Sequence, residues 1–195
     1  MIKFLLCFFV SISFTLSAEE FTGEKNYKSW ELAKKASSRI QFIVESTKAG
    51  IFSSDIDGYV KRFNFSGDFD KKNLILRNMK VSFNAKEMDS DNDSRDEKLH
   101  NLCMNKKLFP IVEIIVIGPL FLKSLKPSKL PGTALIRGKK KAFTIEIKGE
   151  YKDGQLSIGG KTVWGLKEME IPDPSIFIAK LSNEIRINIK LVEKI

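Results

Sequence analysis

The chain has 195 residues and a formal net charge of +9, with 43% hydrophobic and 29% charged residues. This length is ample for one domain with a sizeable core and too short for two domains of ordinary size. The charge favours weak, salt-sensitive attraction to phosphates, anionic lipids or acidic polymers. The basic residues are spread along the chain without an RNA- or DNA-binding motif, so nucleic-acid binding is not expected.

The N-terminal segment has the layout of a secretory signal peptide. Lys3 is followed by an apolar run over Phe4–Phe14 and by a short stretch with small and polar residues that ends at Ala18. The run is shorter than the roughly 20 apolar residues of a transmembrane helix. We therefore expect cleavage of residues 1–18, with a mature chain that begins at Ala18 or Glu19 and is periplasmic or secreted.

Cysteine use argues against a disulfide and against a lipid anchor. Cys7 lies inside the apolar run, whereas a lipoprotein would need a cysteine at its end. Cleavage leaves Cys103 alone, and a single cysteine cannot form an internal disulfide even in an oxidising compartment. The stability of the mature chain must then come from packing.

From Tyr27 onward, apolar and polar residues alternate with the period-two pattern of strands that bury one face. The clearest segments are 40–44, 81–85, 143–147 and 185–191. Turn-forming residues occur at 127–132, 137–138, 152–154 and 172–174. The apolar segment Ile111–Leu122 is too short to span a membrane and is interpreted as a buried strand ending at Pro119. Short strands joined by tight turns predict a β-sandwich or barrel.

One segment has helical character. Ser94 and Glu97 have the Ser-x-x-Glu spacing of a capping box, and Leu99 and Cys103 follow at helical spacing. This pattern predicts a short helix near residues 95–104.

No group of residues has the pattern of an active site. His100 is the only histidine, and Cys103 falls on the apolar stripe of the predicted helix, where a buried thiol is inert. One histidine and one cysteine do not make a tetrahedral zinc site. The acidic run 89–93 imitates a calcium loop, but Ser94 and His100 stand where that loop requires glycine and glutamate. We expect no catalytic residue, no metal and no cofactor.

The densest basic cluster is Arg137 together with Lys139, Lys140 and Lys141. These side chains could contact a phosphate head group, although lysines at turns are more often simply solvated. We expect at most peripheral contact with an anionic membrane surface.

The strongest motif is Arg95-Asp96-x-x-Leu99, placed after the strand 81–85 and before Phe109-Pro110. The pieces that accompany it are Trp30-x-Leu32, Ser38 to Phe42, Gly58-x-Val60, Phe63, Gly67, Phe69-Asp70, Gly138 and the strand 143–147. From about Trp30 to Leu191, this order resembles the YceI-like family of bacterial periplasmic, lipocalin-like barrels. Ser37 and Lys98 depart from the family pattern, which usually has histidine at both places.

The resemblance implies an all-β fold over residues 19–195, a lipocalin-like antiparallel β-barrel of about eight strands. It also implies a long apolar ligand in the barrel, a polyisoprenoid such as a polyprenyl phosphate, or a quinone tail. Burying a methylene group is worth about 0.8 kcal/mol, so a long isoprenoid chain supplies ample driving force. The residues expected to line the ligand are Phe42, Phe63, Phe83, Phe143, Ile145, Trp164 and Ile187. Arg95 and Asp96 are interpreted as structural, fixing the start of the helix against the barrel wall.

Three classes of function remain open. The first is carriage or sequestration of an isoprenoid lipid. The same aromatic residues would also fill a solid core, which would suit an envelope stress-response or interaction module without a ligand. A hydrolase or isomerase acting on a lipid is the third class. The sequence gives no indication of the oligomeric state.

Overall fold

The computed structural model describes residues 19–124, 126–175 and 179–195. Within them, the chain forms one twelve-stranded sheet whose paired strands are antiparallel. The strands are β1 Glu19–Asn26, β2 Arg39–Lys48, β3 Phe52–Val60, β4 Arg62–Asp70, β5 Ile75–Asn84, β6 Met88–Asp89, β7 Ile111–Val116, β8 Leu120–Phe121, β9 Ser128–Ile136, β10 Lys139–Lys152, β11 Gln155–Gly165 and β12 Ala179–Lys194. The expected signal peptide, residues 1–18, lies outside the described residues.

The strands form where the sequence alternates. In β12, Ile187, Ile189 and Leu191 are buried, and β5 buries Val81 and Phe83 in the same way. Full burial of a side chain of this size is worth about 1.5–3 kcal/mol. A register slip of one residue would move the whole apolar set to the other face of the sheet. The prediction of a mostly antiparallel all-β fold is confirmed.

One continuous segment, residues 52–70, turns the sheet back on itself. Its first half, β3, pairs with β2, and its second half, β4, follows after Lys61 and pairs with β5. From β5 the neighbours run in the order β7, β9, β10, β11, β12 and β2. Both ends of this path belong to the same segment, so the sheet curls around a single hydrophobic core.

The expected number of about eight strands is wrong, since the sheet has twelve. Eight strands do form the curled wall when β3 and β4 are taken as one, namely β2, β3 with β4, β5, β7, β9, β10, β11 and β12. The remaining strands are added at edges, where β1 pairs with β4, β6 with β3 and β8 with β5. Alternation cannot reveal β6 and β8, which have 2 residues each.

A helix is present near the predicted position. It consists of α2, Asp93–Lys98, which continues into a π-helical turn over Leu99–Cys103. Its predicted cap is wrong, because Asn92 and not Ser94 is the N-cap. The Asn92 side-chain oxygen accepts a hydrogen bond from the Arg95 amide at 3.0 Å. Neighbouring residues in this run are all good capping types, so the spacing from Ser94 to a glutamate favoured the wrong one.

A further helix, α1, spans Trp30–Lys35 and was not predicted from the sequence. Ser29 caps it by accepting a hydrogen bond from the Leu32 amide. Ala33 is its one buried residue, so no apolar stripe marks this helix in the sequence. Within the ranges that the structure describes, no helix is long and apolar enough to cross a membrane.

The segment 127–132, expected to be a turn, lies mostly inside β9. Gly132 stands opposite Phe143 in the neighbouring strand, and a Cβ on this glycine would lie 2.5 Å from the Cζ atom of the ring. The glycine therefore allows a close cross-strand contact and does not form a turn. The turns predicted at 137–138 and 152–154 do join consecutive strands.

We predict that Asn92→Ala lowers the free energy of unfolding by about 1 kcal/mol, because the first turn of α2 loses its capping acceptor. Ser94→Ala is the control and should change stability by no more than about 0.5 kcal/mol, since Ser94 is exposed. Urea unfolding followed by circular dichroism measures both variants. Equal losses in the two variants would contradict the assignment of the cap.

Candidate functional site

The inward faces of the strands enclose an apolar cavity of about 100 Å³. Its wall includes side chains from eight strands, among them Phe42, Val60, Phe83, Ile136, Trp164 and Ile187. The described residues expose no polar atom to the cavity. Water needs polar partners, so a cavity of this kind stays dry.

One end of the cavity is covered by segments that are not part of the curled wall. The cap consists of Met88 in β6, Leu99 and Met104 in and after the π-helical turn, and Ile171 in the loop between β11 and β12. Methionine is unbranched and adapts its shape readily. The cap is held by packing, by the short pairing of β6 with β3 and by a few hydrogen bonds, whereas long ladders hold the other strands.

The enclosed space is small. A cavity of about 150 Å³ in another protein accommodates one benzene molecule. A second cavity of about 30 Å³ lies further along the core, beside Met79 and Ile145. Ile114 lines both cavities. A long chain molecule can occupy this interior only when some of these side chains move.

Aromatic rings lie against glycines of neighbouring strands. Phe42 stands opposite Gly58, and a Cβ on this glycine would lie 2.1 Å from the Cζ atom of Phe42 and 2.8 Å from the carbonyl oxygen of Asp89. Phe143 has the same relation to Gly132. Each ring thus packs on the backbone of the adjacent strand, which fixes its position and leaves space beside it.

A polar network attaches α2 to the wall next to the cavity. Asp96 Oδ1 accepts hydrogen bonds from the Ser90 amide at 2.9 Å and from its hydroxyl at 2.7 Å. The Arg95 guanidinium donates to the Ser90 carbonyl oxygen at 2.7 Å. One His100 ring nitrogen lies 2.7 Å from the Met88 carbonyl oxygen. These contacts fix the helix start against the sheet, as the structural interpretation of Arg95 and Asp96 expects.

A wider space of about 460 Å³, which we call the vestibule, adjoins the cavity. The two spaces share Phe42, Val44, Leu99, Cys103, Pro174 and Leu181. The charged residues of the vestibule are Lys48, Asp55, Asp57, Asp91, Arg95 and Lys98. The site therefore changes from apolar inside to charged at its outer end.

Two of the three vestibule carboxylates have cationic partners, and Asp91 forms no ion pair among the described residues. Asp55 pairs with Arg186, and Asp57 lies 3.7 Å from the Lys34 ammonium. Lys48 and Lys98 form no ion pair within the described part of the chain. These two lysines are available to a polar or anionic group at the mouth of the cavity.

A family model for the YceI-like domain matches residues 30–192. The chain belongs to the YceI-like family. No curated protein matches the sequence. The predicted family resemblance is thus confirmed over residues 30–192.

Three solved structures illustrate the likeness of fold. Burkholderia cenocepacia BcnA is 14% identical, with a TM-score of 0.66 over 85% of this chain and 100% of that chain. The Campylobacter jejuni YceI protein is 20% identical, with a TM-score of 0.61 over 73% of this chain and 86% of that chain. A polyisoprenoid binding domain from Saccharophagus degradans is 8% identical, with a TM-score of 0.55 over 82% of this chain and 95% of that chain. At these identities the likeness concerns the fold alone.

In this YceI-like chain, the residues expected to line a ligand lie in three places. Phe42, Phe83, Trp164 and Ile187 meet at the larger cavity, and Ile145 lines the smaller one. Phe63 and Phe143 line neither cavity. Phe63 is fully buried between the rings of Tyr27 and Phe65, and Phe143 packs edge-on to Trp164 with ring centres 5.5 Å apart.

The indole of Trp164 is buried with an unsatisfied N–H group. It is buried in the wall of the cavity, and its Nε1 atom has no hydrogen-bond partner among the described residues. A buried donor without a partner costs about 1–3 kcal/mol. The wall therefore includes one side chain whose polar group the fold leaves unsatisfied.

Sequence reasoning missed most of the cap. Met88, Met104 and Ile171 lie outside the alternating strands, so no period identifies them as cavity residues. Leu99 and Cys103 could have been found, because both lie on the apolar stripe of the predicted helix. The cap thus has only a weak signal in the sequence.

The histidine and the cysteine do not form a catalytic pair. His100 contacts the Met88 carbonyl oxygen, and the Cys103 sulfur lies 3.6 Å from the Pro172 carbonyl oxygen. Burial raises the pKa of the Cys103 thiol to about 11, which keeps it protonated and unreactive near neutral pH. In the three described ranges, no cluster of three His, Cys, Asp or Glu side chains is placed to hold a metal ion.

We predict that Gly58→Ala destabilises the fold by about 1–3 kcal/mol, because the new methyl group forces the Phe42 ring from its place. Gly159→Ala is the control, since a Cβ there meets nothing within 4 Å. It should change stability by no more than about 0.5 kcal/mol. Guanidinium unfolding of both variants measures the difference, and equal stabilities would contradict the packing of Phe42 on Gly58.

Proposed function

We propose that the chain is an exported binding protein, without enzymatic activity, that holds an apolar lipid of the polyisoprenoid type inside its curled sheet. The observation that carries this proposal is the dry apolar cavity that adjoins a charged vestibule. An amphiphile has the same division, with an apolar chain and a polar end. A quinone with an isoprenoid tail would fit the same description.

The small cavity sets the energetic condition for binding. Each methylene group that leaves water contributes about 0.8 kcal/mol, so a five-carbon isoprene unit contributes roughly 4 kcal/mol. Overpacking a core costs about 1–3 kcal/mol. The gain from a chain of several units therefore exceeds the cost of displacing cap residues such as Met88 and Met104. The ligand enlarges a cavity that already exists.

The comparisons support the ligand class. The Saccharophagus degradans protein of similar fold is named as a polyisoprenoid binding domain. The larger cavity of this chain lies among inward-facing residues of the shared sheet. Membership of the YceI-like family adds to this support without specifying the head group.

Export is part of the proposal and rests on the layout of residues 1–18. We expect intact-mass analysis of protein from the periplasmic or secreted fraction to give a chain that begins at Ala18 or Glu19. A chain that retains residues 1–17, or that stays in the cytoplasmic fraction, would contradict export.

A second function is favoured by the same small cavity. If the core stays filled, the protein is an envelope interaction or stress-response module without a ligand. Organic extraction of protein purified from its native host, followed by mass spectrometry, separates the two functions. The proposal expects a polyisoprenoid in near-stoichiometric amount.

We predict opposite effects for two tryptophan substitutions. Phe83 lines the cavity, so Phe83→Trp should leave the stability of delipidated protein close to wild type and weaken polyisoprenoid binding by about tenfold or more. Phe63 is fully buried away from the cavities, so Phe63→Trp should cost about 1–3 kcal/mol of stability and leave binding unchanged.

Calorimetry of the delipidated variants and titration with a fluorescent polyprenol measure these effects. A large loss of stability in Phe83→Trp, together with no binding by wild-type protein, would mean a solid core and would favour the interaction module.

A further inference from the structure

The tip of the hairpin between β2 and β3 exposes two adjacent apolar side chains. Ile51 is 77% exposed and Phe52 is 72% exposed, the highest values for large apolar side chains in the described residues. The chain turns sharply just before them, at Ala49 and Gly50, which have φ values of +50° and +70°. Such a turn more often carries polar residues, because exposed apolar surface contributes nothing to the stability of the folded chain.

This tip lies at the open end of the candidate site. Lys48, the last residue of β2, stands opposite Phe52 in the register and also lines the vestibule. Across from it in β12, Ala179 pairs with Lys48 and lines the vestibule too. The exposed pair is therefore next to the space through which the apolar cavity meets its surroundings.

The charges around the tip are basic. Lys48 precedes the turn, and Lys180 is the register partner of Thr47 in the adjacent strand. The nearest carboxylates on the hairpin are Asp55, which already pairs with Arg186, and its register partner Glu45, both three ladder positions from the Lys48–Phe52 pair. Two exposed apolar side chains next to lysines match an anionic bilayer, which offers hydrocarbon beneath a layer of negative head groups.

We propose that the β2–β3 tip docks on an anionic lipid bilayer, with Ile51 and Phe52 inserted at the interface and Lys48 and Lys180 against the head groups. In this orientation the vestibule faces the membrane. An apolar ligand then passes between bilayer and cavity with little exposure to water. The transfer step rests on the proposed function, whereas the docking step does not.

The docking test uses the mature chain and vesicles that contain no isoprenoid. Flotation with vesicles of phosphatidylglycerol and phosphatidylcholine should show salt-sensitive binding, and vesicles of phosphatidylcholine alone should bind much less. The double variant with Ile51→Ser and Phe52→Ser should bind anionic vesicles at least about tenfold more weakly. The double variant with Lys48→Gln and Lys180→Gln should lose most of the preference for anionic vesicles.

The matched control is Phe121→Ser. Phe121 is 51% exposed and pairs with Ile75, at the end of β5 remote from the cavity residue Phe83. This variant should bind vesicles like wild type. Thermal unfolding of every variant checks the fold, which should be intact because the changed side chains are exposed.

The outcomes separate docking from ligand binding. Wild-type affinity in the Ile51 and Phe52 double variant, or loss of binding in Phe121→Ser, would overturn the docking proposal. Absence of vesicle binding by wild-type protein would overturn it as well. Tip-dependent docking by a protein that takes up no fluorescent polyprenol would support docking and refute the proposed lipid-binding function.

Discussion

The bend at Lys61 is the constraint that turns a sheet of alternating strands into a container. Its amide donates to the Glu87 carbonyl oxygen and its carbonyl oxygen accepts from the Tyr27 amide, both at 2.8 Å. Its ammonium lies 2.8 Å from Asp89, and this hydrogen bond raises the pKa of Lys61. Three segments are thereby joined at the point where β3 becomes β4. Without the bend, the two halves of 52–70 would continue along one edge and the sheet would stay open.

The fold could be predicted wherever burial imposes a period on the sequence. Segments 143–147 and 185–191 alternate because one face meets the core, and both lie in long strands. Elements without a period were missed. Helix α1 buries only Ala33, and its capping residue Ser29 is followed by no apolar stripe. The cap of α2 was misplaced by two residues because Asn92 and Ser94 are equally good capping types, so tertiary contacts decide between them.

The site could be predicted only in part, because the sequence shows the direction of a side chain but not the space around it. Alternation tells which side chains point inward, but it does not tell whether their neighbours leave space. Phe83 and Phe143 have the same pattern, yet only Phe83 reaches the cavity. A glycine opposite does not decide this, since Phe42 and Phe143 both lie on a glycine of the neighbouring strand and only Phe42 lines the cavity. The three-dimensional position of each ring in the curled sheet, which local sequence does not specify, decides which aromatics border the open space.

The unfilled cavity costs packing energy, which an apolar occupant would restore. An unfilled cavity forfeits about 24 cal/mol per Å³, which for one of about 100 Å³ is roughly 2 kcal/mol of lost packing. The strands cannot collapse into it, because their ladder hydrogen bonds and the bend at Lys61 fix the curvature of the sheet. The cap is restrained less, since β6 pairs with β3 at only two ladder positions and the Met88 and Met104 side chains are flexible. The proposed uptake of an apolar chain would therefore move cap side chains and leave the sheet in place. The vestibule adjoins the cap at Leu99 and extends along β2 and β3 as far as Lys48 at the exposed hairpin tip.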